Sequence, residues 1–357
     1  MRPAEPRRRG AALRTLLALA VGGLLAGAVP AASASAPARP YVLRYSSPYP
    51  PTHPFSRADI VWMKAVEARS GGRLKIQPFW GGALVSSDNA VLELRHGVAD
   101  LALITPIYQR GGAEAIKLQA GFYAGARTPK EQVAVYRCLQ RDFPVLRDEM
   151  KGLKVLAIQG GNLPNVLTRD RPVTKMADLR GLRLRTPSEI APLLRSLGAD
   201  PVTMPMGEVY SALSKGVVDG VVAPADTIKS LHFSEVSRYL GGVQVARGAY
   251  PARAISEQSF ARLPADLQRI LTEAQSVWED ELSAQVLRAE DEGIAFGATH
   301  GIRTTNFEPA EQSRFDALYN AMSLKTAAKV APSYGPAMFR RAQDVIVQIR
   351  AGKTPAC

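Results

Sequence analysis

The sequence predicts an α/β protein built from two similar halves. Strand-like and helix-like segments alternate along residues 41–104, which is the order found in sheets that carry helices on both faces. The segment at residues 94–100 (LRHGVAD) also resembles the segment at residues 213–219 (LSKGVVD), and each copy ends an amphipathic pattern and enters an apolar run. The length of 357 residues favours two domains as well.

The elements of the first half follow from apolar spacing and from glycine and proline. The loop at residues 47–54 is rich in proline and cannot belong to a helix. Alternating or continuous apolar runs indicate strands, and apolar positions three or four residues apart indicate helices. We therefore predict strands at residues 41–45, 74–80 and 101–104, a helix from Phe55 that ends at Gly71, and a helix from about Ser87 that ends at Gly97.

The second half repeats this order. Arg183 and Arg185 lie two residues apart in a predicted strand, so their side chains point to the same face. Apolar residues at helical spacing follow Pro264 and predict a long helix. The predicted elements are strands within residues 179–187, 198–206 and 217–222, a helix from Glu208 to the second repeat copy, and the long helix from Pro264.

Residues 1–36 have the pattern of a secretory signal peptide. An arginine-rich start precedes an uncharged apolar stretch, and small residues in A-x-A order close the segment. The apolar stretch is shorter than the ~20 residues of a membrane span. No cysteine follows the sequence LLAG at residues 24–27, so we expect no lipid anchor. The mature chain is therefore expected to diffuse freely in the periplasm.

The formal net charge of +13 raises the question of nucleic-acid binding. Five of the arginines and one of the glutamates that make up this charge lie in the predicted signal peptide. The remaining basic residues are spread along the chain, whereas nucleic-acid-binding proteins concentrate them in a patch or stripe. We therefore expect no nucleic-acid partner.

The sequence contains none of the common catalytic or cofactor motifs. It lacks a G-x-S-x-G elbow, an H-E-x-x-H helix, a phosphate-binding G-x-x-x-x-G-K-[ST] loop and a dinucleotide-binding G-x-G-x-x-G turn. The four histidines are scattered without the spacing of metal ligands. We therefore expect a protein that is not an enzyme and has neither a cofactor nor a metal site.

The two cysteines, Cys138 and Cys357, lie in a predicted helix and at the last position of the sequence. A chain end is often mobile. We therefore expect no structural disulfide between them.

Several stretches, in this order, resemble one transport family. They are His53-Pro54 with SGGRLKI (70–76), FWGGAL (79–84) through Gly97 and Asp100, LRGLRLRTP (179–187), EVYSALSKGVVDG (208–220) and, more weakly, LPADLQ (263–268). With these motifs the chain resembles the solute receptors of tripartite ATP-independent periplasmic (TRAP) transporters, the DctP family.

The resemblance implies a type II periplasmic-binding-protein fold. In that fold two α/β domains surround a ligand cleft, strands cross between the domains as hinges, and one long helix spans both. The implied bounds are residues 40–162 plus 249–288 for domain I, 163–248 plus 289–329 for domain II, and 330–357 for a C-terminal helical extension.

The resemblance also implies a function. The chain would bind an organic acid in the cleft and deliver it to the membrane permease of the transporter, acting as a monomer. Two alternatives remain open at this point. One is a receptor that presents its ligand to a sensor, and the other is a periplasmic enzyme on the same scaffold.

Arg185 is the residue that the resemblance places against the ligand carboxylate. A guanidinium offers two parallel donors to the two carboxylate oxygens and stays charged when water is excluded. The same resemblance places a wall of the pocket at Asn165, Ser188, Met206 and Ala223. Residues that follow predicted strands add Ser46, Thr105 and Tyr108, because ligands of open α/β sheets bind beyond the carboxyl ends of strands.

Two of these positions bear on the ligand class. Some members of the family carry a second arginine where this chain has Asn165, and many carry asparagine where it has Ala223. A second carboxylate or many hydroxyl groups would lack partners at these positions. The expected ligand is therefore a monocarboxylate with an apolar or aromatic body, to which the thioether of Met206 is suited.

Overall fold

The computed structural model of the protein describes residues 39–357, and the predicted signal peptide lies outside the described residues. The strands are β1 (Tyr41–Ser46), β2 (Leu74–Phe79), β3 (Leu101–Leu103), β4 (Leu153–Gln159), β5 (Asn165–Thr168), β6 (Arg183–Arg185), β7 (Asp200–Val202), β8 (Gly220–Ala223), β9 (Tyr239–Gly241), β10 (Tyr250–Ser256) and β11 (Arg303–Thr305). The helices are α1 (Pro54–Arg69), α2 (Ala90–Arg95), α3 (Glu114–Gln119), α4 (Pro129–Asp142), α5 (Val145–Asp148), α6 (Ala191–Ser196), α7 (Val209–Ser214), α8 (Thr227–Ser230), α9 (Glu257–Ala261), α10 (Ala265–Glu273), α11 (Gln275–Thr299), α12 (Pro309–Val330) and α13 (Gly335–Arg350).

These elements form two sheets with helices packed around them. The first sheet has the order β2-β1-β3-β10-β4, in which β10 runs antiparallel to its neighbours β3 and β4. The second has the order β11-β9-β5-β8-β6-β7, in which β5 runs antiparallel to β8 and β9. The remaining pairs are parallel. The predicted α/β class with two sheet-based halves is confirmed.

Each sheet contains the same β-α-β-α-β unit. One unit is β1-α1-β2-α2-β3 and the other is β6-α6-β7-α7-β8, and in both the first strand lies between the other two. The two sequence copies end α2 and α7 in equivalent places. Gly97 and Gly216 follow these helices with φ of 75° and 70°, a left-handed conformation that favours glycine. The sequence repeat thus marks a structural repeat.

The aspartate that ends each copy ties the third strand of its unit to the first. The backbone amides of Asp100 and Asp219 donate to the carbonyl oxygens of Arg44 and Arg183, at 3.0 and 2.7 Å. Their carboxylates accept hydrogen bonds from the backbone amides of the same two arginines, at 2.9 and 2.7 Å. The two units therefore share the same register between these strands.

Two chain segments and one helix connect the sheets. The chain crosses between β4 and β5 and again between β9 and β10, and the Val245 amide of the second crossing donates to the Pro164 carbonyl of the first at 2.8 Å. Helix α11 packs against α1 and β4 at one sheet and against α8 and β11 at the other. These crossings and this helix match the implied fold, whereas the exact domain bounds stay a prediction.

The start of the long helix differs from the prediction. Helix α10 ends at Glu273 and α11 begins at Gln275, so the apolar stripe from Pro264 belongs to two helices. Ala274 between them has a ψ of −4°, well away from the usual helical value near −42°. Periodicity alone does not detect such a break, because the apolar residues on both sides face the same core.

A buried ion pair links the elements of the first sheet. Arg253 of β10 and Asp59 of α1 are both 0% exposed, and the Arg253 Nε lies 2.9 Å from the Asp59 Oδ1. The same carboxylate accepts hydrogen bonds from the Trp278 indole at 2.7 Å and from the Tyr45 hydroxyl. Gln159 accepts a further hydrogen bond from Arg253. This network joins β1, α1, β4, β10 and α11.

Cys138 and Cys357 form a disulfide, so the prediction that they do not pair is wrong. Their Cα atoms lie 4.8 Å apart across a sequence separation of 219 residues. The carbonyl of Ala356 also accepts hydrogen bonds from Arg141 of α4 at 2.9 Å and from Arg341 of α13 at 3.3 Å. These two side chains hold the C-terminal segment against α4, where sequence reasoning expected a mobile end.

Removal of this bridge is expected to lower the free energy of unfolding by about 2–4 kcal/mol, because the bridge restricts the unfolded chain. The variant Cys357→Ser tests this with little disturbance, since Cys357 is exposed whereas Cys138 is buried. In urea denaturation, addition of a reductant should lower the free energy of unfolding of the wild type to that of the variant. The reductant should leave the free energy of unfolding of the variant unchanged. Equal stability of all these samples would contradict a stabilising role.

Candidate functional site

A cavity lies between the two sheets. Many of the residues around it follow β1, β3, β6 and β8 or precede β10, so it sits where ligands of open α/β sheets bind. Its lining consists of Tyr49, His53, Phe55, Ile107, Tyr108, Ala120, Asn162, Pro164, Arg185, Pro187, Glu189, Ile190, Met206, Val222, Pro224, Asp226, Thr227, Val245, Ala246, Arg247, Gly248, Tyr250 and Val286.

Arg185 is the last residue of β6 and is 0% exposed. Its Nε and Nη2 donate to the Met204 carbonyl at 3.0 and 2.8 Å, and its Nη2 also contacts the Tyr108 hydroxyl at 2.7 Å. Its Nη1 has only a long contact of 3.5 Å with the Val222 carbonyl. The backbone therefore fixes one edge of the guanidinium and leaves Nη1 weakly bonded beside the cavity.

Within residues 39–357, no carboxylate forms an ion pair with Arg185. The equally buried Arg253 pairs with Asp59, so the chain neutralises one buried cation and not the other. A buried charge without a counter-ion costs several kcal/mol. Arg185 is therefore suited to receive an anion that enters the cavity.

A second guanidinium, that of Arg247, lines the same cavity. A Cβ at Gly161 would lie 2.5 Å from its Cζ, so the glycine leaves the space in which this side chain lies. Sequence reasoning looked for a second arginine at Asn165 and missed Arg247. No motif points to it, because it lies in the crossing segment before β10.

Aromatic side chains form an uncharged wall of the cavity. The rings of Tyr49 and His53 stack with centroids 4.0 Å apart, and Phe55 packs edge-on against Tyr49. Burial and the nearby Arg253 lower the pKa of His53 to about 3, so its imidazole is neutral at neutral pH. Its Nδ1 accepts a hydrogen bond from the Phe55 amide and thereby caps α1. This wall presents apolar surface without adding charge.

Two carboxyl groups, of opposite charge to the two arginines when ionised, line the same cavity. Asp226 is only 6% exposed, and Glu189 is half-buried with no hydrogen-bond partner for its Oε2 within the described residues. Burial raises the pKa of both groups, that of Asp226 to about 7. The net charge of the cavity near neutral pH therefore depends on protonation of Asp226.

The structure places three of the eight predicted site residues at the cavity: Arg185, Tyr108 and Met206. The other five, Asn165, Ser188, Ala223, Ser46 and Thr105, are not among the residues that line it.

Two of these five residues lie one position along the chain from a residue that lines the cavity. Pro164 and Val222 line the cavity, whereas their neighbours Asn165 and Ala223 do not. Ala223 instead packs in a core cluster of the second sheet, and Asn165 donates to the Val243 carbonyl at 3.1 Å. Successive residues of a strand point to opposite faces, so an error of one residue changes the face.

The other three lie beside loops or a groove outside the cavity. The Ser46 hydroxyl accepts a hydrogen bond from the Val85 amide at 3.1 Å, and Thr105 immediately precedes the 3-10 turn Pro106–Tyr108. Ser188 faces a neighbouring surface groove. The sequence thus located the loops at the site better than the individual side chains.

Residues 39–357 show neither a metal-binding cluster nor a membrane span. These residues contain no group of three or more His, Cys, Asp or Glu side chains that could hold a metal ion. None of their helices is long and apolar enough to cross a membrane.

Comparisons with known proteins identify the relatives of the chain. A solute-binding protein of Roseobacter denitrificans is 34% identical over 136 residues, which cover 36% of this chain and 41% of that protein. The chain thus matches less than half the length of this relative.

Solved structures support the fold. A TRAP solute-binding protein of Rhodoferax ferrireducens, solved with copurified benzoate, aligns with a TM-score of 0.79 at 22% identity, over 87% of this chain and 99% of that one. A sugar acid-binding protein of Advenella mimigardefordensis, solved with galactonate, gives 0.73 at 18% identity, over 86% and 99%. The predicted type II binding-protein fold is confirmed.

The family model covers most of the chain. The model of the DctP family, described as bacterial extracellular solute-binding protein, family 7, matches residues 45–329. This family and the relatives named above are solute-binding proteins rather than enzymes, as the sequence predicted. The chain therefore belongs to the bacterial extracellular solute-binding proteins of family 7, the DctP family.

Proposed function

We propose that this protein is the periplasmic receptor of a TRAP transporter and binds an organic acid in the cavity between its sheets. The observation that carries the proposal is Arg185, a fully buried guanidinium at the cavity with no carboxylate partner among residues 39–357. A ligand carboxylate would supply the missing negative charge and accept hydrogen bonds from Nη1 and Nη2. Tyr108, whose hydroxyl contacts the same guanidinium, would lie beside that carboxylate.

The wall of the cavity favours a monocarboxylate with an apolar or aromatic body. Tyr49, neutral His53 and Phe55 offer stacking surfaces, and Met206 and Val222 add aliphatic surface. The second cation, Arg247, lies near two carboxyl groups of the protein, those of Asp226 and Glu189, so it does not by itself call for a second ligand carboxylate. Benzoate in the Rhodoferax ferrireducens relative has this character, whereas galactonate in the Advenella mimigardefordensis relative does not.

The proposal includes the compartment and the partner. A secretory pattern at residues 1–36 and membership of an extracellular solute-binding family favour a location in the periplasm. The receptor would act there as a monomer and deliver its ligand to the permease subunits in the membrane. Only a difference in ligand affinity between open and closed forms can drive closure of the cavity around the acid.

A thermal-shift screen of protein stripped of ligand by refolding tests the ligand class. Benzoate and mandelate are expected to raise Tm more than galactonate or succinate, because the cavity offers aromatic surface and few uncharged polar groups. A ligand present at 100 times its Kd adds about 2.7 kcal/mol of stability, enough for a clear shift.

A larger shift with galactonate or succinate would contradict the proposed ligand class. No shift with any organic acid in a broad panel would contradict the receptor function itself.

A further inference from the structure

The carboxyl group of Glu290 lies against the backbone of Asp226, whose own side chain lines the cavity. Asp226 lies just before α8, and Glu290 lies on α11. The Glu290 Oε2 accepts hydrogen bonds from the Asp226 backbone amide at 3.3 Å and from the Asn162 side chain at 3.1 Å. Within residues 39–357, neither carboxylate forms an ion pair with a basic residue. Two ionised carboxylates in such a place repel each other.

Helix packing enforces this closeness. Gly293 lies on α11, three residues after Glu290, and a Cβ there would come within 2.2 Å of the Ala225 carbonyl oxygen. The glycine therefore lets the segment that carries Asp226 lie directly on α11. Side chains three residues apart share one helix face, so Glu290 is held beside Asp226.

Charges from several elements act on Asp226. Burial is the largest influence and Glu290 is the next, and both raise the pKa of the carboxyl. Arg247, the Ser230 hydroxyl at 3.2 Å and Arg57 of α1 act in the opposite direction, and the balance is a pKa of about 7. The other charged or titratable groups of the cavity are Arg185, Glu189, His53, Tyr49, Tyr108 and Tyr250.

We propose that the Asp226 carboxyl takes up a proton when the ligand carboxylate enters the cavity, an inference that rests on the proposed function. The incoming anion places a further negative charge near a carboxyl that already faces Glu290. The ionised form of Asp226 becomes less favourable, and the carboxylate takes a proton from the solvent to become a neutral carboxylic acid. Release of the anion returns that proton.

Proton uptake sets the direction of the pH dependence. The protonated receptor binds the anion more tightly, so affinity is constant well below pH 7 and falls as the pH rises above it. With full coupling, Kd increases about tenfold between pH 6 and pH 8. The ligand acids named below remain ionised throughout this range, so the change reports on the protein.

Calorimetry at pH 7.5 in phosphate and in Tris, two buffers of different ionisation enthalpy, measures the protons taken up per ligand. The probe is whichever of benzoate, mandelate and galactonate gives the largest thermal shift. The wild type is expected to take up a substantial fraction of one proton. Asp226→Asn should abolish this uptake and give a Kd that no longer changes between pH 6 and pH 8.

Asp280→Asn is the matched control. Asp280 is an aspartate on α11, but its side chain is 68% exposed and pairs with Lys130. This variant should keep the wild-type proton uptake and pH profile. Glu290→Gln gives a second test if Asp226→Asn fails to fold. Because the negative charge of Glu290 raises the pKa of Asp226, its removal should let Asp226 ionise at lower pH. The pH at which affinity begins to fall should therefore move to a lower value.

The outcomes separate the two proposals. Binding without proton uptake, or unchanged uptake in Asp226→Asn, overturns the role of Asp226 and leaves the receptor function intact. A shift of the Glu290→Gln profile to higher pH also overturns it. Failure of every organic acid in the broad panel to bind contradicts the proposed function, and this inference with it.

Discussion

Replacement of Arg185 by alanine is expected to weaken binding of the organic acid by more than about a hundredfold. The guanidinium is fully buried, so its loss would leave the ligand carboxylate desolvated without its principal counter-charge. Calorimetry with the acid identified by thermal shift measures the change. Arg185→Lys should also weaken binding clearly, because an ammonium group lacks the planar pair of donors that a carboxylate accepts.

Arg183→Ala is the matched control for this experiment. Arg183 lies on the same strand two residues earlier, but it is exposed and pairs with Asp200 at 3.0 Å. Its loss should leave Kd unchanged. An unchanged Kd in Arg185→Ala, with circular dichroism showing a folded variant, would contradict the assignment of Arg185 to the ligand carboxylate.

Replacement of Asp59 by alanine is expected to lower the free energy of unfolding by about 3–5 kcal/mol, because it leaves the buried Arg253 guanidinium without its partner. The change also removes the acceptor of the Trp278 indole and the Tyr45 hydroxyl. Urea denaturation followed by circular dichroism measures the loss.

Asp266→Ala provides the comparison for Asp59. Asp266 pairs with Arg73 at 2.7 Å, but both side chains are largely exposed, and exposed ion pairs add little to stability. We expect no clear change in this variant. A similar decrease in the free energy of unfolding of both variants would contradict the claim that burial makes the Asp59–Arg253 pair stabilising.

The sequence predicted those parts of the fold that depend on a few consecutive residues. The repeat at residues 94–100 and 213–219 located two helix-to-strand junctions, because glycine is favoured where the left-handed conformation ends a helix. Arg185 was predicted from a motif in a short strand, and the structure places it at the cavity. Both signals lie in a few consecutive residues, which is the range over which a single sequence is informative.

The parts that were missed depend on contacts between distant residues. Arg247 and Asp226 reach the cavity from irregular segments, where no periodicity fixes the direction of a side chain. The pairing of Cys138 with Cys357 depends on how the C-terminal segment packs on α4. The partners Asp59 and Arg253 come from a helix and a strand that meet only in the folded protein.

The shared register of the two β-α-β-α-β units makes one position of each unit equivalent to a position of the other. Arg44 and Arg183 are equivalent in their bonds to Asp100 and Asp219, so Ser46, two residues after Arg44, occupies the place that Arg185 occupies in the other unit. One copy of this pseudosymmetric position carries a hydroxyl that fixes a loop, and the other carries the buried cation. The internal symmetry of the backbone is thus broken in the side chains at this position, and the second unit contributes from it one of the two guanidinium groups that line the cavity.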